Sequence, residues 1–279
     1  MKKFFTLALL LFCKYAIASS IDTLYLSKHF DVVKDISEAC HKGVKTELEY
    51  GHTQLSVYDM NGRPIRSFTY RKFSDKNKKR RVDGRCVLFY DTGEDSLVYY
   101  RSKDIAVGFD TVFYKNGKVS LVYKGNIMVK HTELWQYWPN GKLKRQQNYV
   151  GADLDGEAIY EGKCFDENGN EVEFSPYEVL AKYPLGSNFL SKVLSTNMRY
   201  PIESQRRGQT GRTFVQFVVD EYGNCSEYEI VESSGYKPLD DEAMRVITKA
   251  TKDVRFIPGT IDGIPTKQSF VFPMNFTLY

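Results

Sequence analysis

Thr213-Phe214-Val215-Gln216-Phe217-Val218-Val219-Asp220-Glu221-Tyr222-Gly223-Asn224-Cys225-Ser226-Glu227-Tyr228-Glu229-Ile230-Val231-Glu232 is the stretch on which the fold of the last third of this chain turns. Thr213, Val215, Phe217 and Val219 share one face and Phe214, Gln216 and Val218 the other, which predicts a strand covered on most of both sides. A Gly-Asn turn follows, and the looser alternation of 226–232 predicts the second arm of a hairpin, nearer an edge and wet on one face. After Ser233-Ser234-Gly235 the period changes. Leu239, Ala243, Val246, Ile247 and Ala250 fall at helical spacing, with Pro238 in the first turn and Asp240, Asp241 and Glu242 matched to the positive end of a helix dipole. Gly259 and Pro265 break the chain before a last strand, 269–278, that puts Phe270, Phe272, Met274 and Phe276 on one face. Pro273 inside that strand has no N–H to give a ladder, so an edge position is expected, and an edge strand is a docking site.

Extended outward, these signals run in order from Arg199-Tyr200-Pro201 through Gly208-Gln209-Thr210-Gly211 and Phe256-Ile257-Pro258-Gly259 to Phe272-Pro273-Met274-Asn275-Phe276. The string resembles the C-terminal domain of the TonB family over roughly a third of the chain, through the order of many weak signals rather than one diagnostic motif. The resemblance implies a small α+β domain that recognises an extended peptide of an outer-membrane receptor by adding a strand to its sheet, with affinity from main-chain hydrogen bonds and specificity from alternate side chains. On this chain the docking strand maps to Gln268, Ser269, Phe270, Val271, Phe272, Met274, Asn275 and Phe276, with Gln268 and Asn275 placed to add polar contacts.

The middle of the chain repeats. Phe89-Tyr90-Asp91-Thr92-Gly93, Phe113-Tyr114-Lys115-Asn116-Gly117 and Tyr137-Trp138-Pro139-Asn140-Gly141 recur every 24 residues, flanked by related turns ending at Gly62 and Gly169. Each unit reads as strand, tight turn, strand, so the array is a row of antiparallel hairpins that cannot bury a face singly. The pattern resembles MORN-type repeats and the repeat region of YwqK-like antitoxins, a likeness that speaks for architecture more than function. Trp135, Tyr137 and Trp138 offer a ligand surface, although alternating aromatics in such a sheet commonly form its packed face.

At the other end, Lys2 and Lys3 precede an apolar run, 4–13, and Ala16-Ile17-Ala18 supplies a small-x-small cleavage site, which predicts a secretory signal peptide removed after Ala18. The run is shorter than the ~20 apolar residues a bilayer span requires. Removing Lys2, Lys3 and Lys14 takes the formal net charge from +4 to +1, which gives no global nucleic-acid signature. The basic residues of 71–81 read as a solvated loop. Cys40, Cys86, Cys164 and Cys225 remain; in an oxidising compartment they permit one or two disulfides without specifying a pairing.

Nucleophile elbows, phosphate-cradling loops, His-Glu-x-x-His and zinc-ligand spacings are all missing from the sequence, so neither an enzyme nor a cofactor or metal is expected. The reading is an α+β protein: signal peptide 1–18, an N-terminal segment 19–47 with a helix over 27–42, hairpin repeats 48–175, a connector 176–185 and a TonB-like domain 186–279. The expected location is the periplasm. The partner is an outer-membrane receptor, another envelope protein or a second copy of the chain, with no nucleic acid and no evident small-molecule substrate. Two alternatives stay open. One keeps the signal uncut as the anchor of an energy transducer, although the stiff Pro-rich spacer of such a protein, rising ~3.1 Å per residue, is not visible among nine dispersed prolines; the other is a cell-envelope repeat scaffold.

Overall fold

The computed structural model describes residues 23–74, 80–126, 130–153 and 158–278; the expected signal peptide lies outside them. Of these, 23–148 with 163–172 make one compact unit, and 149–162 with 173–278 make another. No helix among the described residues is long and apolar enough to cross a membrane, which says nothing of crossing by strands.

One antiparallel sheet holds β1 (Thr23–Leu26), β2 (His41–Glu47), β3 (Thr53–Asp59), β4 (Pro64–Tyr70), β5 (Gly84–Phe89), β6 (Asp95–Ser102), β7 (Ile105–Ala106), β8 (Phe109–Phe113), β9 (Val119–Asn126), β10 (Lys130–Tyr137), β11 (Leu143–Ala152), β12 (Ala158–Phe165) and β13 (Glu171–Val172). Sequence neighbours pair throughout, except that β7 folds back on β6 and β8 takes the next place in the sheet. Leu26, Leu55, Val57 and Tyr70 form a buried cluster at its N-terminal end, joined by Phe30, Phe68 and Val82.

The repeated turns share one construction. Asp59, Tyr90, Tyr114, Trp138 and Asp166 each donate their N–H to the carbonyl four residues on and accept from the glycine N–H three residues on, at 2.7–3.1 Å. The glycines sit at φ between 76° and 99°, a region open to glycine and strained for other residues. Where the opening residue is aromatic, its side chain reaches the next hairpin. Tyr90 Oη donates to Phe113 O (2.6 Å), Tyr114 Oη to Tyr137 O (2.7 Å) and Trp138 Nε1 to Phe165 O (3.0 Å). Lys118 and Lys142 add bonds to Asn140 O and Asn168 O. In the first and last turns of the series the opening residue is aspartate and folds back on its own loop: Asp166 Oδ1 accepts from the N–H groups of Asn168 and Asn170, and Asp59 treats Asn61 and Arg63 alike.

The helix expected over 27–42 is not there. The segment makes a single 3-10 turn, Ile36–Glu38, capped by Asp35, and returns along β1 through a Leu26–Val32 bridge, with Phe30 at φ 64°. The apolar spacing misled because its members do not share a buried face: Phe30 packs on His41 and Phe68, whereas Ile36 is 56% exposed. Turn and bridge bonds satisfy the segment's backbone instead, among them Ser27 N–H to Asp31 O (2.8 Å), Val33 N–H to Tyr25 O (2.9 Å) and Cys40 N–H to Leu26 O (2.8 Å).

The second unit is α+β. β15 (Gly211–Val219) lies between β16 (Cys225–Glu232) and β19 (Gln268–Phe276), all antiparallel. α1 (Ser187–Asn197) and α3 (Lys237–Thr251) cover one face, with α2 (Ile202–Arg206) between α1 and β15 in sequence. The five apolar positions read at helical spacing in α3 are all buried. They meet Val215, Phe217 and Val219 of β15, Leu190 and Leu194 of α1, and Met274 and Phe276 of β19. A small second sheet joins β14 (Glu178–Val179), β17 (Thr260–Ile261) and β18 (Ile264–Pro265). The stretch 176–185, expected to be a connector, therefore belongs to this unit: it supplies β14, a Lys182–Ile257 bridge, and buried Ala181 and Tyr183.

Candidate functional site

β19 pairs residue by residue with β15, from Gln268–Val219 to Phe276–Gly211, with no register shift. Among the described residues its other long edge has no partner. N–H groups alternate sides along a strand, and an unbroken ladder through the Phe214–Pro273 pair is easiest when the missing proline N–H belongs to the free side. Ser269, Val271 and Asn275 then direct their N–H and C=O groups outward, and Pro273 offers a carbonyl alone. The open edge is a ladder with three donors and one gap.

The side chains divide by parity. Met274 and Phe276 are buried in the core, and Phe270 and Phe272 pack against it. Ser269, Val271, Pro273 and Asn275 are exposed on the opposite face. Asn275 Oδ1 accepts from Arg212 Nε of the neighbouring strand (2.5 Å). Gln268 does not contribute the polar contact expected of it. Its side chain is buried, with Oε1 accepting from Ala181 N (2.8 Å) and Nε2 donating to Val179 O (3.1 Å), so it clamps the start of β19 to β14 and the stretch after it. The clamp needs Gly259, where a Cβ would fall 2.2 Å from Gln268 Oε1.

A second device sets the opposite end of the sheet, and sequence reasoning missed it. Asp240, expected to complement the dipole of α3, is buried and accepts from Thr213 Oγ1 (2.7 Å), Ser233 Oγ (2.5 Å), Ser234 N (2.9 Å) and Ser234 Oγ (2.8 Å). It ties α3 to β15 and to the turn after β16; the adjacent Ser233-Ser234 was its only sequence signal. Burial disfavours the carboxylate, but the bonds from Ser233, Thr213 and Ser234 outweigh that and hold it below the ordinary carboxylate range. Because the folded-state pKa is the lower one, the contribution is fully present above about pH 4 and is lost as pH falls through the folded value. Asp240→Asn is expected to cost about 1.5–3 kcal/mol at pH 7, with the gap from wild type narrowing toward pH 3 in urea titrations of the full chain; a gap that stays constant with pH would refute this role.

The remaining candidates are structural. Cys86, Cys164 and Cys225 are buried, Cys40 is exposed and none is bridged. Burial pushes the Cys225 thiol up to about 11 and raises that of Cys86, which leaves both poor nucleophiles. Trp138 donates to Phe165 O and lies under Lys144 Nζ (4.2 Å), while Trp135 packs edge-on against Phe109 (5.7 Å).

Residues 196–278 match the family model described as Gram-negative bacterial TonB protein C-terminal. Protein TonB of Vibrio cholerae serotype O1 is 31% identical over 80 residues, a match that covers 29% of this chain and 31% of that protein. The chain thus spans about a third of that relative. Two solution structures of the Helicobacter pylori TonB C-terminal domain are also similar: residues 179–285 (22% identity, 32% of this chain and 78% of that one, TM-score 0.26) and residues 194–285 (20% identity, 32% and 90%, TM-score 0.25). Residues 196–278 thus resemble the TonB C-terminal domain, and they are built mostly of antiparallel sheet with few helices.

Proposed function

We propose that this is a non-enzymatic protein of the cell envelope whose C-terminal domain takes an extended peptide of an outer-membrane receptor along the outer edge of β19, in TonB-dependent transport. The observation that carries the proposal is the unpaired edge of β19, held rigid on its inner side by Phe270, Phe272, Met274 and Phe276 and at its start by the Gln268 clamp. An extended peptide gains main-chain bonds to Ser269, Val271 and Asn275, and loses only the one that Pro273 cannot give. The match of 196–278 supports the partner class, and the edge supports the mode. The hairpin array precedes this domain as a spacer and secretion delivers the chain to the periplasm, where the array and the C-terminal domain act as separate modules.

The test uses the full chain and a synthetic N-terminal peptide of an outer-membrane receptor. A photoreactive residue at Val271, which is 49% exposed, is expected to capture the peptide. Val271→Pro removes an outward N–H and should weaken binding about tenfold while the circular dichroism spectrum is kept; Thr277→Pro, beyond the strand, should not. Unchanged affinity in the Val271 variant would sink strand addition at this edge. Capture of the chain by itself alone would make the edge a dimer contact, and an intact Met1 in material recovered from envelopes would support a membrane-anchored transducer.

A further inference from the structure

We propose that the hairpin unit carries a binding site for a small organic carboxylate with an apolar body, in a cavity on one face of its sheet and anchored by Arg66. Arg66 pairs with Leu88, Leu88 with Leu97, Leu97 with Val112 and Val112 with Leu121, while Asp110 pairs with Tyr123. Directly paired residues, and those two apart on one strand, share a face. Arg66, Leu88, Leu97, Tyr99, Arg101, Asp110 and Tyr123 therefore all project from the same side. There they line a cavity of about 560 Å³, walled further by Val82, Asp104 and Ala106. That volume lies within the usual range for small-molecule sites, and the mixture of aliphatic and phenolic walls with a few polar groups is their usual composition.

The charges decide what it would hold. Arg101 is neutralised by buried Asp110, at 3.3 and 3.5 Å. Asp104 is engaged by the Val82 N–H at 2.7 Å, which also fixes the wall. Arg66 has no carboxylate partner among the described residues. Its guanidinium stacks on Phe30 (4.5 Å to the ring centre) and Phe68 (5.5 Å), and its Nε is enclosed without an acceptor. The packing around Nε and the two rings fix the guanidinium in place, and a planar carboxylate is the acceptor that matches the fork of its terminal N–H groups. Tyr99 adds a neutral phenol to the lining. Leu88, Leu97 and Val82 would meet the apolar body. This site does not depend on the β19 edge.

The experiment is a calorimetric titration of the full chain with octanoate, run beside octanamide, which has the same apolar body and no charge. Octanoate is expected to bind saturably at one site at about millimolar or tighter, with octanamide at least tenfold weaker. Arg66→Gln should bring octanoate down to the octanamide level, and Leu97→Trp, which fills the cavity, should abolish both; circular dichroism checks each variant's fold. The absence of saturable octanoate binding, equal affinities for the two compounds, or wild-type affinity in Arg66→Gln overturns the proposal. If Arg66→Gln does not fold, Leu97→Trp decides, and octanoate binding that survives the tryptophan overturns it equally.

Discussion

Alanine at Gly223 is expected to destabilise the C-terminal unit by about 3–5 kcal/mol, a large part of the total stability of an ordinary domain. Gly223 sits at φ +85°, and a Cβ built there would lie 2.1 Å from Phe256 O and 3.0 Å from its carbonyl carbon. The obstacle is main chain and cannot rotate aside. Phe256 N donates to Gly223 O (2.9 Å), and the Phe256 side chain is buried in the core. Any retreat therefore breaks a bond or opens a cavity. Gly235 supplies the control: it has a similar φ of +87° but nothing within 4 Å, so its alanine variant should cost only the backbone term, about 1 kcal/mol. The chain's two tryptophans, Trp135 and Trp138, both belong to the hairpin unit. Denaturation followed by circular dichroism should register the loss while tryptophan fluorescence does not. Equal costs at Gly223 and Gly235 would refute the steric argument.

Phe217→Ala should cost a comparable 3–5 kcal/mol, through a cavity rather than a clash. Phe217 is 1% exposed at the centre of the three-stranded sheet. Its ring stacks on Phe270 of β19 (5.7 Å) and Tyr228 of β16 (6.1 Å), and meets Phe256 edge-on (6.0 Å). It is also the direct cross-strand partner of Phe270. Truncation removes the packing that fixes the inner face of β19, so under the proposed strand addition the variant should also lose affinity for the receptor peptide at temperatures where it remains folded. A loss below about 1 kcal/mol in urea titrations would mean that the site collapses and refills, contrary to its interior packing.

Elements whose information is local were legible in the sequence. The hairpin turns announced themselves because each needs its own glycine, and α3 did because five apolar residues meet a single core at one spacing. The two-face burial of β15 and the edge proline of β19 likewise follow from single strands. What escaped depends on partners far along the chain. The bonds of Tyr90, Tyr114 and Trp138 reach residues 23–27 positions away, and Gln268 reaches 87 positions to Ala181. A glutamine opening an exposed strand looks solvent-facing until β14 is known to lie beside it. α1 gave little signal, since Leu190 and Leu194 are its only fully buried apolar residues, and 176–185 gave none of regular period although Tyr183 is a core residue. The false helix at 27–42 came from a period without a face to bury.

The turn chemistry of the hairpin array has a consequence for how such a chain can change in evolution. Tyr114 links backward to Tyr90 and forward to Trp138 through the same pair of groups, a ring donor and the carbonyl before the next turn. Each interior unit thus presents one plug and one socket, and a unit can be copied or deleted without leaving either unmatched. Asp166, whose carboxylate closes its own loop, ends the series by needing no successor. Asp220 repeats that self-closing turn in the second unit, where a lone hairpin has no neighbour in line. The length of the array is therefore free to drift in whole units of about two dozen residues, so the span of chain ahead of the C-terminal domain can change without redesigning either.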